Sequence, residues 1–134
     1  MLKFNIHYHL LFSEMKLKKI IHNFKNGIRG LAIVTEERNF KIILLVGLVA
    51  LLFAVILPLR RWEVITVLFL IGFVVSVEMI NSKLERILDL VNPTYDRRVK
   101  NIKDISAGAV LVASLTSAVL GLKIFIPYLL EILN

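Results

Sequence analysis

The sequence predicts an all-α membrane protein in which an N-terminal amphipathic surface helix precedes three transmembrane helices. Three observations carry this. The 134-residue chain is 57% hydrophobic with a mean hydropathy of +0.78, more apolar side chain than a soluble domain of this size can bury. Three apolar stretches each reach bilayer length. Lys and Arg collect in alternate connections between them, as they do where a chain threads a membrane with one side anionic.

The opening residues, MLKFNIHYHLLFSE, do not read as a secretory signal. Their apolar run is short, His7 and His9 interrupt it, and no small-residue cleavage site follows. Met15 opens MKLKKIIHNF, a plausible start in its own right, so residues 1–15 are expected to be a loosely held extension, disordered or nearly so. Residues 16–134 then form one membrane domain. Over 16–36, Leu17, Ile20, Ile21, Phe24, Ile28 and Leu31 recur at helical spacing, while Lys16, Lys18, Lys19, Lys25 and Arg29 take much of the remaining circumference. Such a basic amphipathic helix suits the headgroup layer.

The first span, 40–59, carries one charge, Lys41, and at 1.5 Å per residue is roughly 30 Å long. Pro58, Arg60 and Arg61 end it, and RRWE leaves room for a tight turn with Trp62 at an interface. The second span, 64–91, is apolar to about Ile80, but its helical pattern runs on to Val91, where Asn92-Pro93 breaks it. The third, 104–130, places Ala109, Ala113, Ser117 and Gly121 at steps of four, a small-residue face that lets helices approach closely in lipid. Eight of the 17 Lys and Arg lie between Lys3 and Lys41, six between Lys83 and Lys103, and three in the first hairpin and the C-terminal end. This puts the N-terminus and the second loop in the cytoplasm of an inner (cytoplasmic) membrane.

Several classes of function are set aside at this point. There is no cysteine, hence no disulfide framework and no thiolate chemistry. The net charge of +7 fits anionic headgroups or an anionic substrate better than nucleic acid in so apolar a chain. Two histidines in the N-terminal extension make a weak metal site, and no Walker or kinase-type glycine loop is present.

The chemistry gathers in VEMINSKLERILDL, 77–90. On a helix advancing about 100° per residue, Asn81 lies about −60°, Ser82 about +40°, Glu85 about −20° and Asp89 about +20° from Glu78. A merely wetted helix end would scatter its charges around the circumference. Stacked carboxylates repel, no lysine lies on the stripe, and a hard divalent cation such as Mg²⁺ would relieve them while keeping substrate phosphates as further ligands. Glu78 lies deepest. An ionisable group near hydrocarbon is costly to keep and points to function, and a carboxylate so placed suits a general base. Two further clusters fall on the same side of the membrane: TEERNF, with Glu36 and Glu37, and KNIKD, with Lys100, Lys103 and Asp104. Carboxylates and lysines converging at one membrane face suit phosphoryl transfer.

Taken together, these residues resemble the bacterial diacylglycerol kinase family, which includes undecaprenol kinases. The matching pieces are FKNGIRG (24–30), ERNF (37–40), VEMINSKLERILDL against E-x-x-N-[ST]-A-x-E-x-x-x-D, and KNIKDISAGAVL (100–111) against K-x-x-K-D-x-x-A-G-A-V. ERNF looks more like the undecaprenol kinase branch. The resemblance implies a homotrimeric bundle with sites shared between subunits, so that Glu37 and Glu78 could meet across an interface. It implies ATP as co-substrate and Mg²⁺ as cofactor. Glu78 would take the lipid hydroxyl proton, and Glu37 and Glu85 would hold Mg²⁺ with Asn81 beside them. Lys103 would meet the nucleotide phosphates, and Asp89 and Asp104 would shape the nucleotide pocket. Arg29 and Ser82 are the expected substrate contacts. Three positions depart from the family: Lys83 stands where Ala is usual and is expected to point away from the metal, Ile43 follows Asn39-Phe40 where a polar residue is common, and Asp96 replaces a common His.

The expectation is therefore an ATP- and Mg²⁺-dependent lipid kinase that phosphorylates the primary hydroxyl of undecaprenol or diacylglycerol at the cytoplasmic face. A small oligomeric ion or proton channel with Glu78 as relay is the alternative. A relay favours isolated midplane charge, whereas these carboxylates cluster at one face beside lysines.

Overall fold

The computed structural model describes residues 2–133, with side chains described over 16–133, and among them every regular element is helical. The chain divides into two compact units, Met1–Glu36 and Glu37–Asn134. The first holds one helix, α1 (Leu2–Val34). It runs without a break through the segment that the sequence sets apart as an extension, whose side chains, His7 and His9 among them, lie outside the described residues. Leu17, Ile20, Phe24 and Ile28 of α1 are exposed. The Thr35 hydroxyl donates to the Ala32 carbonyl at 2.7 Å and closes the C-terminal turn.

The second unit is three helices: α2 (Arg38–Ile56), α3 (Arg61–Val91) and α4 (Arg97–Leu133). All three are long and apolar enough to cross a membrane. α2 stops at Ile56 rather than 59 because Pro58 disfavours helical backbone at the residue before it, and Leu57 is accordingly extended (ψ 146°). α3 starts at Arg61, ahead of the expected 64. The Arg60 N–H donates to Glu63 Oε2 at 2.7 Å, so the third helical residue caps the first turn. α4 starts at Arg97 instead of 104. Asp96 Oδ1 accepts the Arg98 N–H at 2.7 Å and supplies a cap that the apolar pattern does not reveal. Pro127 stays inside α4 despite the backbone hydrogen bond it removes.

α3 packs against both α2 and α4. Ala54, Val67 and Ile124 form the buried cluster, with Ala50, Leu59, Ile71 and Phe125 around it. The Phe53 and Phe125 rings lie 5.9 Å apart. α2 and α3 approach closely at Gly47, where a Cβ would meet Ile71 Cγ2 at 3.1 Å. Most apolar side chains face outward, as lipid requires of a short bundle. Two hydroxyls inside α3 bond to their own helix: Thr66 to the Trp62 carbonyl and Ser76 to the Gly72 carbonyl. Glu63 Oε2 also accepts the Tyr128 hydroxyl at 2.6 Å, tying the start of α3 to the end of α4. The small-residue face of α4 turns partly inward. Ala113 is buried, Ser117 and Gly121 line an apolar cavity of about 560 Å³ with α2 and α3, and Ala109 is exposed.

Candidate active site

α3 is roughly 46 Å long, half as long again as a hydrocarbon core, so one end must leave the bilayer. Glu78 lies roughly 26 Å along it from Arg61, Glu85 roughly 36 Å and Asp89 roughly 42 Å. The stripe therefore climbs from the hydrocarbon boundary into the aqueous layer, with Glu78 at its foot.

The structure builds a cleft of about 470 Å³ around that stripe. Glu78, Ser82, Glu85, Arg86 and Asp89 come from α3, and Glu37, Arg38 and Asn39 from the start of α2. Four carboxylates thus line one cavity, and one chain alone brings Glu37 and Glu78 together; the meeting across an interface that the resemblance implies is not required for it. Glu78 is 3% exposed, and Ser82 and Asn81 are buried beside it within hydrogen-bonding reach. Asn81 Nδ2 donates to Glu85 Oε1 at 3.3 Å, while Ser106 Oγ of α4 donates to Asn81 Oδ1 at 2.6 Å. This fixes the amide orientation through α4. Ser106 lies at a variable position inside a recognised motif, so no sequence signal marks it.

Glu37 is the N-cap residue of α2, with extended backbone (φ −78°, ψ 133°), but its side chain makes no capping hydrogen bond. Instead it turns toward α3. The Ser82 hydroxyl holds its carboxyl below the usual carboxylate range, Lys83 and Arg86 lower it further, and burial opposes them. Lys83 Nζ lies 3.2 Å from Glu37 Oε1. Lys83, expected to point away from the residues that the resemblance assigns to Mg²⁺, thus meets one of them. The wheel of one helix shows that Lys83 leaves the stripe, but not that α2 delivers a carboxylate to meet it.

Lys103 of α4 forms an ion pair with Asp89 at the outer end of the cleft. Asp104, its neighbour, is exposed and does not line the cavity. Arg29 is exposed on α1, in the other unit. Ile43 lines the apolar cavity rather than the polar cleft. Asp96 caps α4, and its carboxyl is held below the usual carboxylate range by hydrogen bonds from the Arg98 side chain and backbone. It has a structural task where the family commonly has His.

Among the described residues, no three of His, Cys, Asp and Glu gather closely enough for a metal cage made by protein alone. The donor set is nevertheless right for Mg²⁺, which is usually bound by one or two carboxylates plus substrate phosphates rather than by a dedicated cage. Glu37 and Glu85 face one cavity and offer hard oxygens.

Three candidate spans with a carboxylate cleft at one helix end suit phosphoryl transfer at a membrane face better than a relay isolated at mid-depth. Comparison with known proteins makes this specific. The model of the prokaryotic diacylglycerol kinase family matches residues 25–125, and the chain belongs to that family of lipid kinases. It is similar to the undecaprenol kinase of Bacillus subtilis, 30% identical over 115 residues that span 85% of this chain and 94% of that protein. It is also similar to a diacylglycerol kinase of Synechocystis sp., 32% identical over 98 residues, 72% of this chain but only 56% of the relative.

Proposed function

We propose that the protein transfers the γ-phosphoryl group of ATP, with Mg²⁺, to the primary hydroxyl of a membrane lipid at the cytoplasmic face. The convergence of Glu37, Glu78, Glu85 and Asp89 on one cleft at the hydrocarbon boundary carries this reading. Undecaprenol is the first candidate acceptor, because the similarity to the undecaprenol kinase spans nearly all of that relative; diacylglycerol is the second.

In this reading Glu78 accepts the proton of the lipid hydroxyl as its oxygen bonds to the γ-phosphorus. The bond from the γ-phosphorus to the β,γ-bridging oxygen breaks, and ADP leaves. Ser82 and Asn81 orient Glu78, and Ser82 lies where the acceptor hydroxyl would arrive. Glu37 and Glu85 would hold Mg²⁺, which when bound neutralises phosphate charge. Lys103, Arg86 and Asn81 meet the nucleotide side, and Asp89 steadies Lys103 there. Asp104, exposed one residue on, contributes to the nucleotide pocket from its rim. α1 lies in the headgroup layer, where Arg29 meets the lipid. A homotrimer is the expected assembly, as the family resemblance implies.

The test is direct. Purified protein in mixed micelles is incubated with γ-labelled ATP and Mg²⁺ plus undecaprenol or diacylglycerol, each alone. Label should enter one lipid and depend on Mg²⁺. Transfer to neither lipid overturns the reading.

A further inference from the structure

Lys83 is the residue that the proposed reaction does not use. It replaces a usual alanine in an otherwise close motif, yet it is not idle, since its ammonium lies 3.2 Å from Glu37 Oε1. That oxygen belongs to the carboxylate assigned to the divalent cation. The Glu37 side chain makes no capping hydrogen bond to its own helix and is turned to α3 instead. Ser82 holds the same carboxylate from the adjacent position on α3. Neither partner is locked in: the side chains of Lys83 and Glu37 are 39% and 30% exposed, and the pair is reached from solvent. A divalent cation on this carboxylate would meet a like charge a few ångströms away, and repulsion at that range is only partly screened. The flexible four-carbon stem of lysine lets the ammonium withdraw when the cation arrives.

We propose that Lys83 is a tethered cation that competes with the divalent metal for Glu37 and so raises the metal concentration at which the site loads. This rests on the reading of Glu37 as a metal-holding group. Lys83 acts through Glu37 and touches no reacting atom, so it is a positioning residue rather than a catalytic one.

The experiment follows Mn²⁺ binding to the full-length protein in micelles by electron paramagnetic resonance. Lys83→Ala and Lys83→Met, which respectively remove and keep the apolar stem, should both bind Mn²⁺ roughly three- to tenfold more tightly, as expected for releasing a partly exposed ion pair facing a doubly charged ion. Lys83→Arg keeps the charge and should match wild-type affinity. In a Glu37→Gln background, Lys83→Ala should add nothing. The half-saturating Mg²⁺ concentration for lipid phosphorylation should fall by the same factor in Lys83→Ala. Unchanged or weaker Mn²⁺ binding in both Lys83→Ala and Lys83→Met overturns the competition, and the metal reading still stands if Glu37→Gln weakens binding. Equal Mn²⁺ binding by wild type and Glu37→Gln overturns both.

Discussion

Glu78 is 3% exposed at the foot of a cleft whose other three carboxylates stand farther out along α3 or come from α2. Depth gives it a task distinct from theirs. Glutamine at this position keeps size and a hydrogen-bond acceptor but cannot take a proton. Glu78→Gln should therefore bind ATP and Mg²⁺ as wild type does, by calorimetry, and lose roughly 10²–10⁴-fold in lipid phosphorylation, the usual worth of a positioned general base. Wild-type turnover in this variant would remove Glu78 from the chemistry. The residues around it were legible to different degrees. A 100° wheel predicts that Glu78, Asn81, Ser82, Glu85 and Asp89 share a face. Four of them line the cleft, because one straight helix needs only its own periodicity, while Asn81 stands behind the lining and reaches it through its bond to Glu85. The bonds of Asn81 to Ser106 and of Lys83 to Glu37 were not legible. They join residues 25 and 46 positions apart, and which turn of which neighbour they meet depends on how α2 and α4 are packed.

At the scale of elements, three spans were readable because length and hydropathy alone identify them. The ends were read less well, since caps decide them. α4 gains a turn and more because Asp96 accepts the Arg98 N–H. Asp96→Ala should lower the melting temperature by roughly 2–6 °C, the shift expected when a helix cap is lost. The effect has a pH signature. The carboxyl of Asp96 is held below its ordinary value, so its contribution is complete above that value and disappears as pH falls through the lowered one. Melting curves of variant and wild type should differ at neutral pH and converge as the pH falls well below the ordinary carboxylate range; a gap that persists in strong acid would assign the loss to something other than the charged cap. Packing gives a second contrast on α4. Ala113 is buried and Leu111 exposed, although both look equally apolar in sequence. Ala113→Leu should overpack the contact of α4 with the bundle and cost about 1–3 kcal/mol. Leu111→Phe, on the outward side, should leave detergent-solubilised stability unchanged. Equal tolerance by thermal unfolding would mean that the buried face is not a packing constraint.

For the molecule as a whole, membrane orientation decides whether the cleft can meet ATP. The charge pattern sets that orientation: fourteen Lys and Arg in the N-terminal region and second loop, against three in the hairpin and C-terminal end. The cleft residues Glu37, Glu85 and Asp89 stand at the lysine- and arginine-rich ends of their helices, so a positive-inside arrangement puts the site in the compartment that holds nucleotide. The opposite arrangement would leave the same carboxylates facing away from it and would undo the kinase reading whatever the local geometry. Because the chain has no cysteine, single introduced thiols report without background. Tyr95→Cys lies in the loop between α3 and α4, is strongly exposed and takes no part in the cleft. Trp62→Cys lies in the first turn of α3, at the other end of the bundle, and is also exposed. A membrane-impermeant maleimide should label Tyr95→Cys in inside-out vesicles and leave it unlabelled in intact spheroplasts. Trp62→Cys should show the reverse. If Tyr95→Cys labels from outside, the cleft faces the wrong compartment for ATP, and the carboxylate stripe would need a different substrate to explain it.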